Sequence, residues 1–258
     1  MERDTQLKSQ LKRLKLSGIL DTLEMRLLEC QQNQLDYKTF LSLLLQDELE
    51  ARQARKVERL IQQAYFGQQQ TLEGFDFTIT PAINATLMRE LATTNFITRG
   101  EGVILTGPPG TGKTHLAKAL GHVACRHGYT VRFYKFHDLF SALTKAEVTG
   151  QGDHLLNVLV KCDLLIIDDF AFRKIDQPSS EYLYALVDSR YGSKSMILTS
   201  NRAISDWMGI FPDPVIAGAI LDRLTHQAHQ IHLKGESMRK KISTKKSNLA
   251  LVLLPKID

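Results

Sequence analysis

The spacing of apolar residues divides the chain into a helical N-terminal part and a longer part in which strands and helices alternate. Over residues 5–29, leucine and isoleucine recur at steps of three and four, which predicts one amphipathic helix. Residues 37–66 show the same spacing and predict a second helical region. The run at 67–70 is polar and predicts a linker. We therefore expect a small all-helical domain at 1–66 and a linker at 67–80.

Short apolar runs separated by helical patterns fill the chain after the linker. Thr80 followed by Pro81 is typical of a helix start. The alternation beyond it predicts an α/β core at 81–234 with a mostly parallel five-stranded sheet, covered by helices on both faces. Residues 235–258 then form a C-terminal tail, which leaves room for a reduced lid or none. The predicted strands are 102–106, 130–135, 163–168, 195–199 and 229–233.

Basic residues are concentrated in that tail. The 258 residues carry 33 Lys and Arg against 28 Asp and Glu, a formal net charge of +5. Residues 234–258 hold seven basic and two acidic side chains, so this segment accounts for the whole excess. Such a segment predicts either a polyanionic partner, most simply nucleic acid, or a solvated tail. Its candidate DNA contacts are Lys240 and Lys241.

A second group of cations lies in the later half of the second helical region. Arg52, Arg55, Lys56 and Arg59 have relative offsets of 0, 3, 4 and 7. These offsets place all four on one stripe of a helix. The stripe is interpreted either as a solvated face or as a face that contacts the phosphates of DNA.

The chain has no sequence signal for a membrane or for export. No apolar run approaches the length of a membrane span, and the first residues lack the apolar core of a signal peptide. The three cysteines are far apart and show no metal-ligand spacing. We expect a protein of the reducing cytoplasm with free thiols.

A glycine-rich segment between a predicted strand and a predicted helix fits the phosphate-binding pattern G-x-x-x-x-G-K-[ST]. Its glycines let the backbone curl so that N–H groups point at phosphate oxygens. Lys113 is placed to reach the β- and γ-phosphates, and the Thr114 hydroxyl is placed to ligate Mg²⁺. The residues of this segment are Gly107, Pro108, Pro109, Gly110, Thr111, Gly112, Lys113 and Thr114.

Two further strands end in polar residues. The strand at 163–168 ends in Asp168 and is followed by Asp169, and the carboxyl edge of a parallel sheet is also where the phosphate loop lies. Asp168 is placed to hold Mg²⁺, and Asp169 to orient or deprotonate an attacking water. Asn201, after the strand at 195–199, either contacts the γ-phosphate or the water, or caps the helix that follows.

Two arginines near the end of the core each allow two interpretations. Arg223 is either an arginine finger that enters a neighbouring subunit's nucleotide site, or the partner of the adjacent Asp222. Arg239 either contacts the γ-phosphate within its own subunit or is the first cation of the basic tail.

Taken in order, these motifs resemble the AAA+ ATPases of the DnaA/DnaC-related group. Among them, the chain is similar to the IstB-like ATP-binding helper proteins of bacterial insertion-sequence transposition. The resemblance covers most of the chain, from the leucine-rich N-terminal helices to the segments Leu221-Asp222-Arg223-Leu224-Thr225-His226 and Gly235-Glu236-Ser237-Met238-Arg239. Its most specific part is the ordered set from Asn201 to Arg239.

The resemblance implies a bacterial protein that uses ATP and Mg²⁺ and assembles as a homo-oligomer on double-stranded DNA, largely independently of sequence. It implies that this assembly recruits and stimulates a transposase. The implied roles are Walker A for Lys113 and Thr114, Walker B for Asp168 and Asp169, sensor 1 for Asn201, arginine finger for Arg223 and sensor 2 for Arg239. Many AAA+ proteins have Glu in place of Asp169, and only nineteen residues follow Arg239, too few for a full helical lid.

Two other functions share parts of this motif set. A replicative helicase loader of the DnaC/DnaI type has nearly every ATPase motif, but its N-terminal domain binds a helicase and its core prefers single strands. A small-molecule kinase with a phosphate loop transfers the phosphoryl group to an acceptor and needs no arginine from a neighbour. The basic tail and the Asn201 element argue against the kinase.

Overall fold

The computed structural model describes residues 2–67, 70–75, 85–235 and 237, and it divides the chain into two compact units. The first unit is Met1–Arg59 and the second is Leu60–Asp258. This division lies before the polar linker at 67–70. The expected helix start at Thr80 lies outside the described residues.

Three helices form most of the first unit. They are α1 (Glu2–Arg13), α2 (Ser17–Asn33) and α3 (Tyr37–Ala64), of which the last residues belong to the second unit. Apolar side chains of all three helices form one small core, which contains Leu11, Ile19, Leu23 and Leu44. Since these residues follow the helical spacing read from the sequence, the periodicity identified this core.

The prediction of a single helix over 5–29 is wrong, because the chain turns between α1 and α2. Lys15 has a left-handed backbone with φ of 57°, and the N–H of Leu16 donates to the carbonyl of Leu11 at 2.9 Å, which ends α1. Gly18 then packs directly on α3, where an added Cβ would lie 2.7 Å from the Cα of Glu48. The absence of a side chain at Gly18 therefore permits the close approach of α2 to α3.

The second unit contains a five-stranded sheet with the order β2-β3-β4-β1-β5, and every pairing is parallel. This confirms the predicted fold class. The strands are β1 (Gly102–Thr106), β2 (Val131–Lys135), β3 (Leu164–Asp168), β4 (Ser195–Ser200) and β5 (Ala228–His232). The helices are α4 (Ala85–Ala92), α5 (Asn95–Thr98), α6 (Lys113–Arg126), α7 (Phe136–Val148), α8 (Gly152–Lys161), α9 (Gln177–Arg190), a 3₁₀ helix (Ile204–Ile210) and α10 (Pro214–His226).

Side chains of successive strand residues enter two separate cores, one on each face of the sheet. Leu164 and Ile166 of β3 lie in the core that is covered by α4 and α6. Leu165 and Ile167 lie in the core covered by α7 to α10. Because both faces are covered, β3 reads as a continuous apolar run rather than as an alternation.

The sheet order places the three loops that carry candidate site residues side by side. β1, β4 and β3 are consecutive neighbours in the sheet, and all three run in the same direction. The phosphate loop follows β1, Asp168 ends β3 and Asp169 comes directly after it, and Asn201 follows β4. These residues therefore meet at one edge of the sheet. Within the described ranges, no helix has both the length and the apolar content to cross a bilayer.

A buried arginine, Arg190, joins α8 and α9 to the start of β4. Its side chain is 1% exposed, and Nη1 donates to the carbonyls of Leu159 and Cys162 at 2.5 and 2.8 Å. Nη2 donates to the carbonyl of Ser195 at 2.5 Å. Burial lowers the pKa of the Arg190 guanidinium, while the carbonyls at the end of α8 supply the negative end of a helix dipole.

Replacing Arg190 with Met is expected to lower the free energy of unfolding by about 3 kcal/mol, because several buried carbonyls lose their donor. Denaturant unfolding followed by circular dichroism measures this change. The matched control is Arg126→Met, at the exposed end of α6, which we expect to cost less than about 0.5 kcal/mol. Equal losses for the two variants would show that the carbonyls do not depend on Arg190.

Candidate functional site

Three glycines of the phosphate loop, Gly107, Gly110 and Gly112, have a positive φ, and at the first two an added side chain would also clash. Gly107 and Gly110 have φ of 138° and 82°. A Cβ on Gly107 would lie 2.2 Å from the carbonyl oxygen of Leu233, and one on Gly110 would lie 2.2 Å from Oγ of Ser237. Within the loop, the hydroxyl of Thr111 donates to the carbonyl of Pro108 at 2.9 Å. The loop is thus held in its curled form by its own contacts, and it packs closely against the residues after β5.

Lys113 places a positive charge inside this loop. Its side chain is 5% exposed, and Nζ donates to the carbonyls of Gly107 and Pro108 at 2.8 and 2.7 Å. Lys113 is also the first residue of α6, whose N-cap residue Gly112 offers no side chain to the first N–H groups of the helix. An ammonium and a helix N-terminus at one point match the charge of a polyphosphate.

Thr114 and Asp168 lie in contact at the end of β3. The hydroxyl of Thr114 donates to Oδ1 of Asp168 at 2.8 Å. Adjacent oxygen ligands of an octahedral Mg²⁺ are about 2.9 Å apart, given metal–oxygen distances near 2.05 Å. A hydroxyl and a carboxylate with this spacing fit a Mg²⁺ site, which agrees with the sequence-based pairing of these two residues.

Thr199 was not singled out from the sequence, although it contacts both aspartates. Its hydroxyl donates to Oδ1 of Asp168 at 2.5 Å and accepts from the backbone N–H of Asp169 at 3.0 Å. The side chain is fully buried in β4. A threonine among the apolar residues of a central strand was the available signal, because a buried hydroxyl needs partners.

Asp169 and Asn201 come together beside the phosphate loop. Asp169 has a left-handed backbone with φ of 55°, and Nδ2 of Asn201 donates to its Oδ1 at 3.4 Å. Both residues and Pro109 line a cleft with a volume of about 240 Å³, together with Phe170, Phe172 and Arg202. The left-handed turn after β3 therefore presents the second carboxylate to the same cleft as the loop.

Arg223 does not lie with these residues. It contacts Asp188 of α9, with Nη2 2.9 Å from Oδ1, and its Nη1 donates to the carbonyl of Ala219. Its guanidinium lies 5.4 Å from the centre of the Tyr184 ring. The intrachain partner is thus Asp188, where the sequence suggested Asp222. Arg223 also lines a small cavity with residues from the starts of β1 and β4, at the edge of the sheet opposite the phosphate loop.

Lys118 is a further cation on α6 that the sequence did not single out. Nζ donates to the carbonyl of Phe66 at 2.5 Å and lies 4.6 Å from the centre of the Phe133 ring. Burial lowers the pKa of the Lys118 ammonium, while the charge of Asp168 acts in the opposite direction. Its contacts give Lys118 the role of fixing the segment after α3 to the helix that carries Lys113.

The remaining candidate residues lie partly inside and partly outside the part of the chain that the structure describes. Arg239, Lys240 and Lys241 lie outside the described residues, although Ser237 lies against Gly110 of the phosphate loop. The four cations of the α3 stripe are all exposed, and two of them, Arg52 and Arg55, form ion pairs with Glu48. The structure thus keeps the stripe at the surface of the first unit.

Comparison with known proteins gives one family for almost the whole chain. The model of the IstB-like ATP binding protein family matches residues 9–246. An insertion-sequence ATP-binding protein of Mycobacterium tuberculosis is 40% identical over 237 residues, which is 92% of this chain and 94% of the relative. The ATP-binding protein of the insertion sequence IS21 from Pseudomonas aeruginosa is 39% identical over 231 residues, covering 90% of this chain and 87% of the relative.

Solved structures at lower identity share the fold. DnaA from Aquifex aeolicus, bound to AMPPCP, matches with a TM-score of 0.54 and 24% identity over 74% of this chain and 59% of its own. The DnaC helicase loader matches with a TM-score of 0.52 and 21% identity over 58% of this chain and 87% of its own. The chain belongs to the IstB-like ATP binding protein family and has the AAA+ ATPase fold.

Proposed function

We propose that this protein is a Mg²⁺-dependent ATP hydrolase that assembles on double-stranded DNA and recruits a transposase. The observation that supports it best is the convergence of Lys113, Thr114, Asp168, Asp169 and Asn201 at one edge of the sheet. The relatives named above are ATP-binding proteins of insertion sequences, which supports a cytoplasmic helper of bacterial transposition.

Each residue of the site has a distinct task in the proposed reaction. Lys113 offsets the charge of the β- and γ-phosphates, while the loop and the first turn of α6 donate N–H groups to their oxygens. Thr114 and Asp168 would hold Mg²⁺, which when bound neutralises charge on the phosphates. Asp169 orients or deprotonates the attacking water, and Asn201 hydrogen-bonds the water or the γ-phosphate.

The proposed reaction works as a switch. ATP closes the contacts between subunits, the assembly grips DNA, and hydrolysis of the γ-phosphate releases it. Arg223 has a place in this scheme only if it serves a neighbour's site, because within its own chain it lies at the other edge of the sheet. The five residues of β1 separate the two edges by about 15 Å, which is more than an arginine side chain can span.

Changing Asp169 to Asn tests the catalytic part of this proposal. Asparagine also tolerates a left-handed backbone, so the turn after β3 should persist while the base is lost. We expect normal ATP binding, phosphate release reduced by at least about 100-fold, and an ATP-bound assembly that stays on duplex DNA. Phosphate release and the anisotropy of a labelled duplex, each with ATP and with ADP, measure these three properties.

Asn33→Asp, in the last turn of α2, is a control for an exchange between Asn and Asp. It should leave turnover unchanged. Normal ATPase rates in Asp169→Asn protein would remove Asp169 from the catalytic role. A clear preference for single strands over duplex in a competition assay would favour the helicase-loader interpretation, as would a helicase gene in place of a transposase gene beside this reading frame.

A further inference from the structure

The first unit brings a second basic segment next to the α3 stripe. This segment is the end of α1 and the turn after it, where Lys12, Arg13 and Lys15 are all exposed. The helix predicted from the sequence over 5–29 placed this segment in its middle, and the sequence did not indicate that it lies next to α3. Because α1 ends at Arg13, these three cations are grouped around a tight turn instead of being spread along a helix.

Direct contacts fix this turn against the stripe. Nη2 of Arg52 donates to the carbonyl of Lys15 at 3.5 Å. Arg55 donates through Nη1 to the hydroxyl of Ser17, the first residue of α2. Two segments nearly forty residues apart in the chain are therefore held side by side, and their cations form one surface.

Glu48 organises the centre of this surface. Its side chain is 5% exposed, and Oε2 accepts from the backbone N–H groups of Gly18 and Ile19 at 2.7 and 3.2 Å. Oε1 accepts from Nε of Arg52 at 2.7 Å and from Nη2 of Arg55 at 3.4 Å. Burial acts to raise the pKa of Glu48, but these hydrogen bonds overcome it and hold the pKa below its ordinary value.

The surface keeps an excess of positive charge after this pairing. One Glu48 carboxylate faces two guanidiniums, and Arg52 and Arg55 remain 54% and 47% exposed. No acidic residue occurs in the sequence between Lys12 and Ser17, and residues 52–59 contain one, Glu58, which leaves seven cations against the two carboxylates of Glu48 and Glu58. The basic surface, defined here by its cations, consists of Lys12, Arg13, Lys15, Arg52, Arg55, Lys56 and Arg59.

We propose that this basic surface binds the phosphate backbone of duplex DNA, with Arg13 and Lys15 as contacts in addition to the α3 stripe. The proposal rests on the DNA binding in the proposed function. Neither 12–17 nor 52–59 contains an aromatic residue, so these segments offer no ring on which the bases of a single strand would stack. The lysines and the rigid guanidiniums of the arginines are instead suited to binding phosphate oxygens. Phosphates are the same at every base pair, so these contacts do not depend on the DNA sequence.

The test is the salt dependence of duplex binding by the double variant Arg13→Gln/Lys15→Asn in the full chain with ATP. Gln suits the end of a helix, and Asn suits the left-handed backbone at Lys15. Each phosphate contact contributes about 0.9 to the slope of log K against log salt, so we expect the slope to decrease in magnitude by about 2. Fluorescence anisotropy of a labelled duplex measures it.

The control is Lys8→Gln/Lys38→Gln, which removes two charges from the same unit outside the basic surface. This control should change the slope by less than half of the change expected for the Arg13→Gln/Lys15→Asn variant. The proposal that the basic surface contacts phosphates would be wrong if wild type and the Arg13→Gln/Lys15→Asn variant had equal slopes. It would also be wrong if the slope decreased equally in both double variants. The proposed function would remain in place in either case. A wild-type protein that binds a fluorescent ATP analogue but no duplex at low salt would instead overturn the DNA binding itself.

Discussion

Protein with Lys113 changed to Ala is expected to lose ATP binding while it keeps its fold. The Lys113 ammonium is nearly buried inside the phosphate loop, where few water molecules screen its attraction for phosphate oxygens. Charge-assisted hydrogen bonds are worth about 1.5–3 kcal/mol each, so the loss of two, one to each of the β- and γ-phosphates, should weaken ATP binding by at least roughly 100-fold. Titration with a fluorescent ATP analogue measures the affinity directly.

The control for this variant is Lys161→Ala, at the exposed end of α8, which removes the same charge from the same unit. Its affinity should equal that of the wild type. Thermal unfolding separates a binding defect from a folding defect, because Lys113→Ala protein without nucleotide should unfold near the wild-type temperature. Tight ATP binding by folded Lys113→Ala protein would contradict the assignment of the loop as the nucleotide site.

The strands of the core could be predicted from the sequence to within a residue or two. Continuous apolar runs such as Leu164 to Ile167 are fully buried, with side chains on both faces of the sheet. An unbroken run of this kind therefore indicates a central strand of a covered parallel sheet. The polar residues that follow each run mark the edge where loops meet. Together with the phosphate-loop motif, which supplies Thr114, this rule predicts the edge of the sheet at which Thr114 meets Asp168 and Asn201 meets Asp169.

Contacts between distant helices could not be predicted, because they depend on how the elements pack. The local pattern around Lys15 marks the turn only weakly. The step from Leu14 to Ile19 along the predicted apolar face is five residues instead of three or four, and a Ser-Gly pair lies within it, but the helical spacing resumes on both sides. The turn is stabilised by Glu48, thirty residues later, which accepts from the first N–H groups of α2. Asp188 similarly pairs with Arg223 from another helix, whereas the sequence offered only the adjacent Asp222.

Arg223→Ala protein is expected to bind ATP nearly normally but to hydrolyse it slowly. An arginine from a neighbouring subunit offsets the charge that spreads over the γ-phosphate in the transition state, which can be worth roughly 10³–10⁵ in rate. The ion pair with Asp188 is no barrier to this role. Half-exposed pairs of this kind contribute at most about 1 kcal/mol, so the guanidinium can leave Asp188 at little cost.

Asp188→Asn is the matched control, because it breaks the same ion pair and keeps the arginine. If Arg223 served only to stabilise α9 against α10, both variants should lose activity to a similar small extent. If Arg223 acts on a neighbour, only Arg223→Ala should lose turnover. Phosphate release at saturating ATP compares the two variants.

Mixing two inactive variants decides whether Arg223 acts between subunits. Arg223→Ala subunits retain the phosphate loop, and Lys113→Ala subunits retain the arginine. In a mixed assembly, some sites combine an intact loop from one subunit with an intact arginine from the next, so ATPase activity should partly return. A mixture that hydrolyses no more ATP than its separate components, at concentrations where mixed assembly is confirmed by cross-linking, would contradict the action between subunits. Arg223 would then be a structural partner of Asp188.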